Sequence, residues 1–365
     1  MKIAFFLGGL KRGGAESLIY DICRKKDEVP FDFCCLYRNE GDYSDAFHET
    51  GAELIRVGKT GGMLRYLLDL RKAVLANGID IVHAQTSSNA LVSILALLMS
   101  RVKVVTTFHG FSFADAPKWY RKLVYCGSRR VLCVSEFEKR HYERKWGLPE
   151  HNKIGVVYNG IDFSKLEGPE PDLSHPVQVS GNTLNMLMVG SFNEVRSQFF
   201  ICQVMHRLNQ LDVPCRMYFA GRPYESEPWW YDKCVSFCQD NDLMDKVFFM
   251  GNRSDIPWLL RQMDLFLYAS DHDTFGIAVL EALAAGLPVL VNDWAVMKEI
   301  TLDGELAQLY QTGDVDDCVA KICKFAKLIG GVRPDCSKTM EVVRERYSIE
   351  GHLRKLNEIY LSCCR

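Results

Sequence analysis

The sequence predicts an α/β chain of two doubly wound, Rossmann-like domains that face each other across a cleft, and three observations carry that expectation. Short apolar, β-branched segments alternate with longer segments of helical period, the pattern of parallel strands joined by helices. The alternation stops in a polar stretch, residues 162–182, that holds Pro169, Pro171 and Pro176 and has no periodicity, and then it restarts. The chain is 365 residues long, beyond the size that one hydrophobic core usually serves. A first domain is expected over residues 1–162 and a second over 163–348, with residues 349–365 packing back on the first.

In the first half the expected strands are Lys2–Leu7, Phe31–Tyr37, Ile79–His83, Lys103–Phe108, Val131–Val134 and Ile154–Val157. Helices fit Ala15–Lys26, Gly62–Asn77, Asn89–Ser100, Lys118–Cys126 and Glu136–Trp146. In the second half strands are expected at Leu184–Val189, Cys215–Ala220, Lys246–Met250, Leu265–Tyr268 and Pro288–Val291. The last segment carries Leu353, Leu356, Ile359 and Tyr360 at helical spacing.

A hydrophobic content of 48% and a charged content of 25% exclude extended disorder, and a net charge of -2 excludes a strong global attraction to nucleic acid. The fourteen cysteines are scattered and form no zinc-type CxxC pairs, so reduced and mostly buried thiols are expected and no metal site. Cys234 and Cys238 would sit one helical turn apart, but no second pair follows them. The opening MKIAFFLGG reads as a first strand and has no cleavage pattern. The longest apolar run, Ala90–Met99, is about half of what crosses a bilayer. A cytoplasmic protein, or one held at the inner face of the membrane, is expected.

In doubly wound domains ligands bind beyond the carboxyl ends of the strands. The loop Gly8–Glu16 follows the first strand, and Gly13 and Gly14 would let backbone N–H groups approach an anion at the start of a helix. It matches neither the dinucleotide GxGxxG pattern nor the P-loop, and a tight strand-to-helix turn explains its glycines equally well. The segment Ser270–Ala282 is sharper. Glu281 lies in an otherwise apolar helix, where a carboxylate needs a partner or a ligand. Asp273 precedes it by eight residues; on one helix the two would stand about 12 Å apart, near the hexose-to-ribose span of a nucleotide-sugar. Thr274, Phe275 and Gly276 between them would expose N–H groups at the helix start, suited to a diphosphate.

Asp273-x7-Glu281 followed by Ala284-Ala285-Gly286-Leu287-Pro288-Val289 resembles the Glu-x7-Glu region of glycosyltransferase family 4, retaining enzymes of GT-B fold. The resemblance runs along nearly the whole chain. Gly13-Gly14-Ala15-Glu16, His109-Gly110, Val134-Ser135-Glu136, Asn159-Gly160-Ile161-Asp162, Gly190-Ser191, Gly251-Asn252-Arg253 with Asp255, and Asp264-Leu265-Phe266 stand in the family's order. It implies transfer of a sugar from a nucleoside diphosphate, with UDP favoured, to a saccharide or lipid-linked saccharide acceptor. The setting it implies is bacterial surface polysaccharide or glycolipid assembly, without a cofactor or metal.

By that resemblance Glu281 binds the ribose hydroxyls, Asp273 the sugar, and Arg196 the diphosphate. Gly190, Ser191, Arg253, Thr274, Phe275 and Gly276 line the nucleotide-sugar. His109, Gly13 and Gly14 close the site from the first domain. Two positions depart from the family pattern. Its first Glu is Asp273, a carboxylate retracted by one methylene, and its Gly-Arg…Lys pair is Gly190-Ser191…Arg196, with one cation fewer. Arg222 and Arg253 are the candidates for replacing that charge. Asp271 and Asp273 spell D-x-D, but the sugar contact claims Asp273.

Plainer readings stand beside these. Asp273 would serve as a helix N-cap, Glu281 as a member of a buried salt bridge, Arg196 as a first-turn surface residue and His109 as a core histidine. His83 and Gln85 are read as structural. Lys118–Lys145 holds nine Lys or Arg against three Glu, with Trp119, Tyr120 and Trp146 nearby, which describes a solvated surface or an anionic membrane face. A nucleotide-sugar epimerase or phosphorylase of the same fold, and a non-catalytic nucleotide-sugar sensor, are the competing functions.

Overall fold

A computed structural model describes residues 1–58, 61–149, 153–167, 177, 179, 181–327 and 334–364, so most of the proline-bearing stretch after residue 167 lies outside the described residues. The chain divides into two compact units, Met1–Ile161 with Tyr347–Arg365, and Asp162–Arg346.

Unit 1 holds a seven-stranded sheet, β1 (Lys2–Gly9), β2 (Asp32–Asn39), β3 (Leu54–Arg56), β4 (Ile81–Ala84), β5 (Lys103–Phe108), β6 (Arg130–Cys133) and β7 (Ile154–Val156), in the order β3-β2-β1-β4-β5-β6-β7. All the pairings are parallel. Its helices are α1 (Gly14–Arg24), α2 (Ser44–Glu49), α3 (Met63–Ala76), α4 (Ser87–Ala96), α5 (Lys118–Gly127) and α6 (Glu136–Trp146). Successive residues of a strand point to opposite faces. Ile3, Phe5 and Leu7 of β1 accordingly pack with Leu18 and Ile22 of α1, while Ala4 and Phe6 pack with Tyr66, Leu70 and Val74 of α3 and with Ile94 of α4. Val124 of α5 and Tyr142 of α6 join Ala90 of α4 in a third cluster. The layer opposite α1 is therefore α3 to α6.

Unit 2 holds β8 (Leu184–Val189), β9 (Cys215–Ala220), β10 (Val247–Phe249), β11 (Leu265–Tyr268), β12 (Val289–Asn292) and β13 (Gln308–Tyr310) in the order β10-β9-β8-β11-β12-β13, again parallel. Its helices are α7 (Gln198–Gln210), α8 (Trp229–Asp240), α9 (Ile256–Gln262), α10 (Ile277–Ala284), α11 (Ala295–Ile300), α12 (Val315–Ala326) and α13 (Ser337–Tyr347). The terminal helix, α14 (Ile349–Cys364), belongs to unit 1. Ile349, Leu353, Leu356 and Tyr360 lie in the core beside Phe5 and Leu18. Tyr360 meets His83 at 2.6 Å and Phe31 edge-on.

The edge strands β3 and β13 and the short helix α2 were not expected from the sequence. Each edge strand has three residues, too few to show a period of two, and the polar SDAFHE of α2 buries a single side chain, Phe47.

In both sheets the strand order reverses once, between β1 and β4 and between β8 and β11. At such a reversal the two following loops part and leave a crevice at the carboxyl edge. Backbone crowds closely there in unit 2. Gly190 donates to Ala220 O at 2.9 Å and Gly221 to Gly251 O at 2.8 Å, and a Cβ on Gly221 would lie 1.9 Å from the Gly190 carbonyl oxygen. Gly221→Ala should therefore push the β8 and β9 loops apart and cost about 3 kcal/mol. Thermal unfolding of the variant checks this, and an unchanged melting temperature would refute the close packing of these loops.

Candidate functional site

The loop after β8 carries Arg196. It runs through a 3-10 turn, Glu194–Arg196, capped by the Asn193 side chain, which accepts from the Arg196 N–H at 3.0 Å. Ser197, left-handed at φ 49°, is then the N-cap of α7. Arg196 therefore precedes the helix instead of lying in its first turn. Its side chain runs close to Gly190, and a Cβ there would come 3.6 Å from the Arg196 chain. Buried Gln198 donates to the carbonyls of Gly190 and Ser191 at 3.3 and 3.0 Å, fixing the loop from below.

The loop after β11 carries Asp273. Arg196 Nη1 stands 3.2 Å from Asp273 Oδ2, and the Tyr268 hydroxyl donates to the same oxygen at 2.5 Å. The guanidinium also lies over the Tyr268 ring, 5.6 Å from its centroid. The Arg196 side chain is 28% exposed and that of Asp273 11%. This is a partly solvated pair, open to exchange and not locked in the core. Ser270 joins the two loops: its hydroxyl donates to Val195 O at 3.0 Å, while its backbone is clamped by Asn292, which accepts from Ser270 N at 3.1 Å and donates to Ser270 O at 2.7 Å. Trp294 Nε1 donates to the Asp273 carbonyl at 3.2 Å.

The helix that follows starts later than the sequence suggested. Gly276 is its N-cap at φ 89°, ψ 54°, and α10 begins at Ile277. Asp273 and Glu281 do not share a helix. Thr274 and Phe275 are not first-turn residues, and Phe275 is buried, so the helix-start amides belong to Ile277 and the residues after it. A glycine is needed at 276 because its φ is left-handed and a Cβ would meet Met297 at 3.0 Å. At the other end Gly286 at φ 74° closes a Schellman turn, with Leu287 N donating to Ala282 O at 3.0 Å. Glu281 sits half-buried in the second turn of α10.

Two further candidates meet carboxylates of the chain itself. Arg253 is not an open cation: it is 3% exposed and forms a bidentate pair with buried Asp255, at 2.8 and 2.7 Å. That geometry neutralises its charge inside unit 2. At Gly13 and Gly14 the start of α1 is covered by the chain's own carboxylate, because Glu16 Oε2 lies 2.6 Å from where a Cβ on Gly13 would be. Burial raises the Glu16 carboxyl above its ordinary value.

In unit 1, His109 follows β5 and is half-buried, with Nε2 2.9 Å from Gln85 Oε1. Burial, and then the neighbouring His352 ring, lower its pKa to about 4. His83 is fully enclosed between Tyr360 and Thr107, both at 2.6 Å, with a pKa lowered by burial to about 3, which fits its structural reading. His352 on α14 donates from Nδ1 to Tyr158 O at 2.7 Å, and burial lowers it to about 4. All three rings are neutral at pH 7.

Tyr268, Ser270 and Asn292 escaped the sequence reading. Tyr268 ends an apolar strand and reads as core, and only its position at the carboxyl end of β11 marks it out.

With this geometry in view, residues 12–165 match the family described as Glycosyltransferase Family 4, and residues 173–331 the one described as Glycosyl transferases group 1. The chain belongs to the family 4 glycosyltransferases. As a family 4 chain it is 24% identical over 320 residues to the UDP-Gal:alpha-D-GlcNAc-diphosphoundecaprenol alpha-1,3-galactosyltransferase of Escherichia coli, covering 82% of this chain and 79% of that one. It is 23% identical over 296 residues to the N-acetyl-alpha-D-glucosaminyl L-malate synthase of Bacillus anthracis, covering 79% and 76%. The crystal structure of Anabaena HepE in complex with UDP superposes with a TM-score of 0.84 at 18% identity, covering 99% of this chain and 100% of that one. The fold of this family 4 enzyme is GT-B.

Removing the Tyr268 hydroxyl takes away one of the two donors on Asp273 Oδ2, a bond to a charged acceptor worth about 2 kcal/mol. Tyr268→Phe should bind nucleotide-sugar more than about tenfold more weakly in calorimetry, and unchanged binding would contradict a positioning role. The histidines give a pH dependence. Folded pKa values of about 3 and about 4 for His83 and His352 lie below the ordinary 6.5, so the unfolded chain takes up protons that the folded one refuses. Stability should be full above pH 6.5 and fall as the pH drops towards 4. Melting curves across that range check it, with a shallower fall expected for His352→Gln.

Proposed function

We propose that this family 4 glycosyltransferase moves a sugar, with retention at the anomeric carbon, from a UDP-sugar to a hydroxyl of a lipid-linked saccharide. The setting is assembly of a surface polysaccharide or glycolipid, and no metal ion is required. The observation that carries the reading is the Arg196–Asp273 pair beside Gly190 at the β8/β11 reversal. One cation and one carboxylate at the carboxyl edge of a doubly wound sheet support a reading in which a diphosphate and a sugar bind there.

In this reading the donor's diphosphate takes over Arg196, whose fork can grip two phosphate oxygens. Asp273, released from Arg196 but still held by Tyr268, turns to the sugar hydroxyls. Glu281 accepts from the ribose hydroxyls. The acceptor oxygen attacks the anomeric carbon as the bond from that carbon to the phosphate oxygen breaks. The bonding pair leaves with the phosphate, and the acceptor's proton passes to the departing phosphate oxygen. Arg196 stabilises the negative charge that grows there, the kind of prepositioned electrostatics that supplies much of catalysis. Because Arg196 brings that charge itself, a divalent cation has no necessary part.

UDP is favoured because the Escherichia coli relative is named for UDP-Gal. The same name contains a lipid-linked acceptor, whereas the Bacillus anthracis relative is named for malate; the lipid-linked reading therefore draws its further support from the exposed surface of unit 1.

A panel of UDP-, GDP- and ADP-sugars, with binding measured before nucleotide release onto lipid-linked and free acceptors, tests the proposal. Release of UDP only when acceptor is present, undiminished by EDTA, is expected. Binding without release would leave a nucleotide-sugar sensor, and isomerised sugar still attached to nucleotide would leave an epimerase. Arg196→Ala and Glu281→Ala should each lower turnover by at least about 100-fold with melting behaviour unchanged, the loss typical of an electrostatic donor at the reacting centre. Near-normal activity in either would remove that residue from the scheme.

A further inference from the structure

The basic, aromatic run between Lys118 and Lys145 has no part in the transfer chemistry, and the fold gathers it into a definite surface. Among the described residues of unit 1, every exposed large apolar side chain except Met1 and Leu361 lies on α3, α4, α5 or the turn after α4. Leu68 and Leu75 share a face of α3 with Arg71, which donates to the carbonyls of Ala96 and Leu98 at 2.9 Å and so ties that face to the end of α4. There the chain turns through Leu98, 59% exposed, and Met99, fully exposed and left-handed at φ 61°, a conformation unfavourable for methionine. Trp119, Leu123 and Cys126 form an exposed stripe along α5, which packs beside α4.

Two hollows flank this apolar line. One, of about 560 Å³, is lined by Leu98 and Met99 and by Lys103, Arg129, Arg130 and Lys153. The other, of about 400 Å³, is lined by Lys118, Arg121, Lys122 and Lys145 with Trp146. They are neighbours, since Lys153 of the first lies over the ring of Tyr125 in the second, 4.6 Å from its centroid. Neither lining contains an Asp or a Glu. Of the eight cations, Lys145 alone is within ion-pair distance of a carboxylate among the described residues, exposed Asp115 at 2.7 Å, whose charge Arg121 also shares. A chain with a net charge of -2 has thus concentrated cations on one face and mixed them with bare apolar side chains.

We propose that the α3–α5 face of unit 1 docks on the surface of an anionic phospholipid bilayer, with lipid phosphates in the two basic hollows and Leu98, Met99, Trp119 and Leu123 in the interfacial layer. The combination decides the partner. Cations alone would suit any polyanion, but exposed leucine, methionine and tryptophan gain only where a hydrocarbon boundary lies just behind the charges. No helix among the described residues is long and apolar enough to cross the bilayer, so the contact is with its surface. Docking of this kind would bring the enzyme to a lipid-linked acceptor, but it stands without the transfer chemistry.

Flotation of the full chain with vesicles of phosphatidylcholine, alone or mixed with phosphatidylglycerol, tests it. The protein should float with the mixed vesicles only and be released as salt is raised. Lys118→Glu with Lys122→Glu, and separately Leu98→Ser with Met99→Ser, change exposed side chains and should each reduce the bound fraction about tenfold or more, with unchanged melting curves. Failure of the wild-type chain to float, or flotation of either variant like wild type, overturns the proposal. So does binding to duplex DNA or polyphosphate that matches vesicle binding and ignores the Leu98 and Met99 changes. Sugar transfer to a short-chain, detergent-dispersed lipid-linked acceptor, measured without vesicles on the same variants, should be unaffected. Its absence in the wild-type chain would count against the transferase reading and leave the docking result standing.

Discussion

A guanidinium and a carboxylate meeting at 3.2 Å, at the point where the order of the second sheet reverses, is the interaction on which the proposed function depends. Each partner comes from a different loop and neither loop is held by regular structure alone. Asn193 and Gln198 shape the loop that presents Arg196, Asn292 and Trp294 hold the loop that presents Asp273, and the Ser270 hydroxyl joins them. Charge compensation lets both groups stay at a partly dry edge before a ligand arrives. A pair open to solvent contributes little net stability; in the proposed function its value lies in readiness, a diphosphate replacing the carboxylate on Arg196 while sugar hydroxyls replace the guanidinium on Asp273. Tyr268, fully buried behind the pair, would keep its hydrogen bond to the carboxylate through that proposed exchange.

Buried ion pairing elsewhere in the same unit has the opposite character. Arg253 and Asp255 are almost fully enclosed and bidentate, so separating them would leave a charge in the interior. Two arginines of one unit thus differ in exposure and in how tightly a carboxylate holds them. The contrast also separates Arg253, whose charge is taken up by Asp255, from Arg196, whose side chain runs close to Gly190.

Much of this was legible in the sequence, and the limits have physical causes. The central strands β8, β9 and β11 were placed to the residue because strands buried on both faces read as continuous apolar runs. β3 and β13, at three residues each, are too short to show any period. The identities of Arg196 and Asp273 were legible from family order, but their pairing was not, since seventy-seven residues separate them and only the strand order brings them together. The helix start was misplaced by a single backbone angle: Gly276 turns left-handed, which delays α10 to Ile277 and frees Asp273 to face Arg196. Arg253 read as an available cation because a partner two residues away is ordinarily out of reach, and it is the loop after β10 that folds Asp255 back onto it.

The most direct measurement is a crystal structure of the full chain with an intact, hydrolysis-resistant UDP-sugar. The account predicts the diphosphate within hydrogen-bond distance of Arg196, the Arg196–Asp273 contact opened beyond 4 Å, Asp273 on the sugar, and Tyr268 still on Asp273. A bound nucleotide-sugar that left the 3.2 Å pair intact, or that settled away from Gly190, would contradict it.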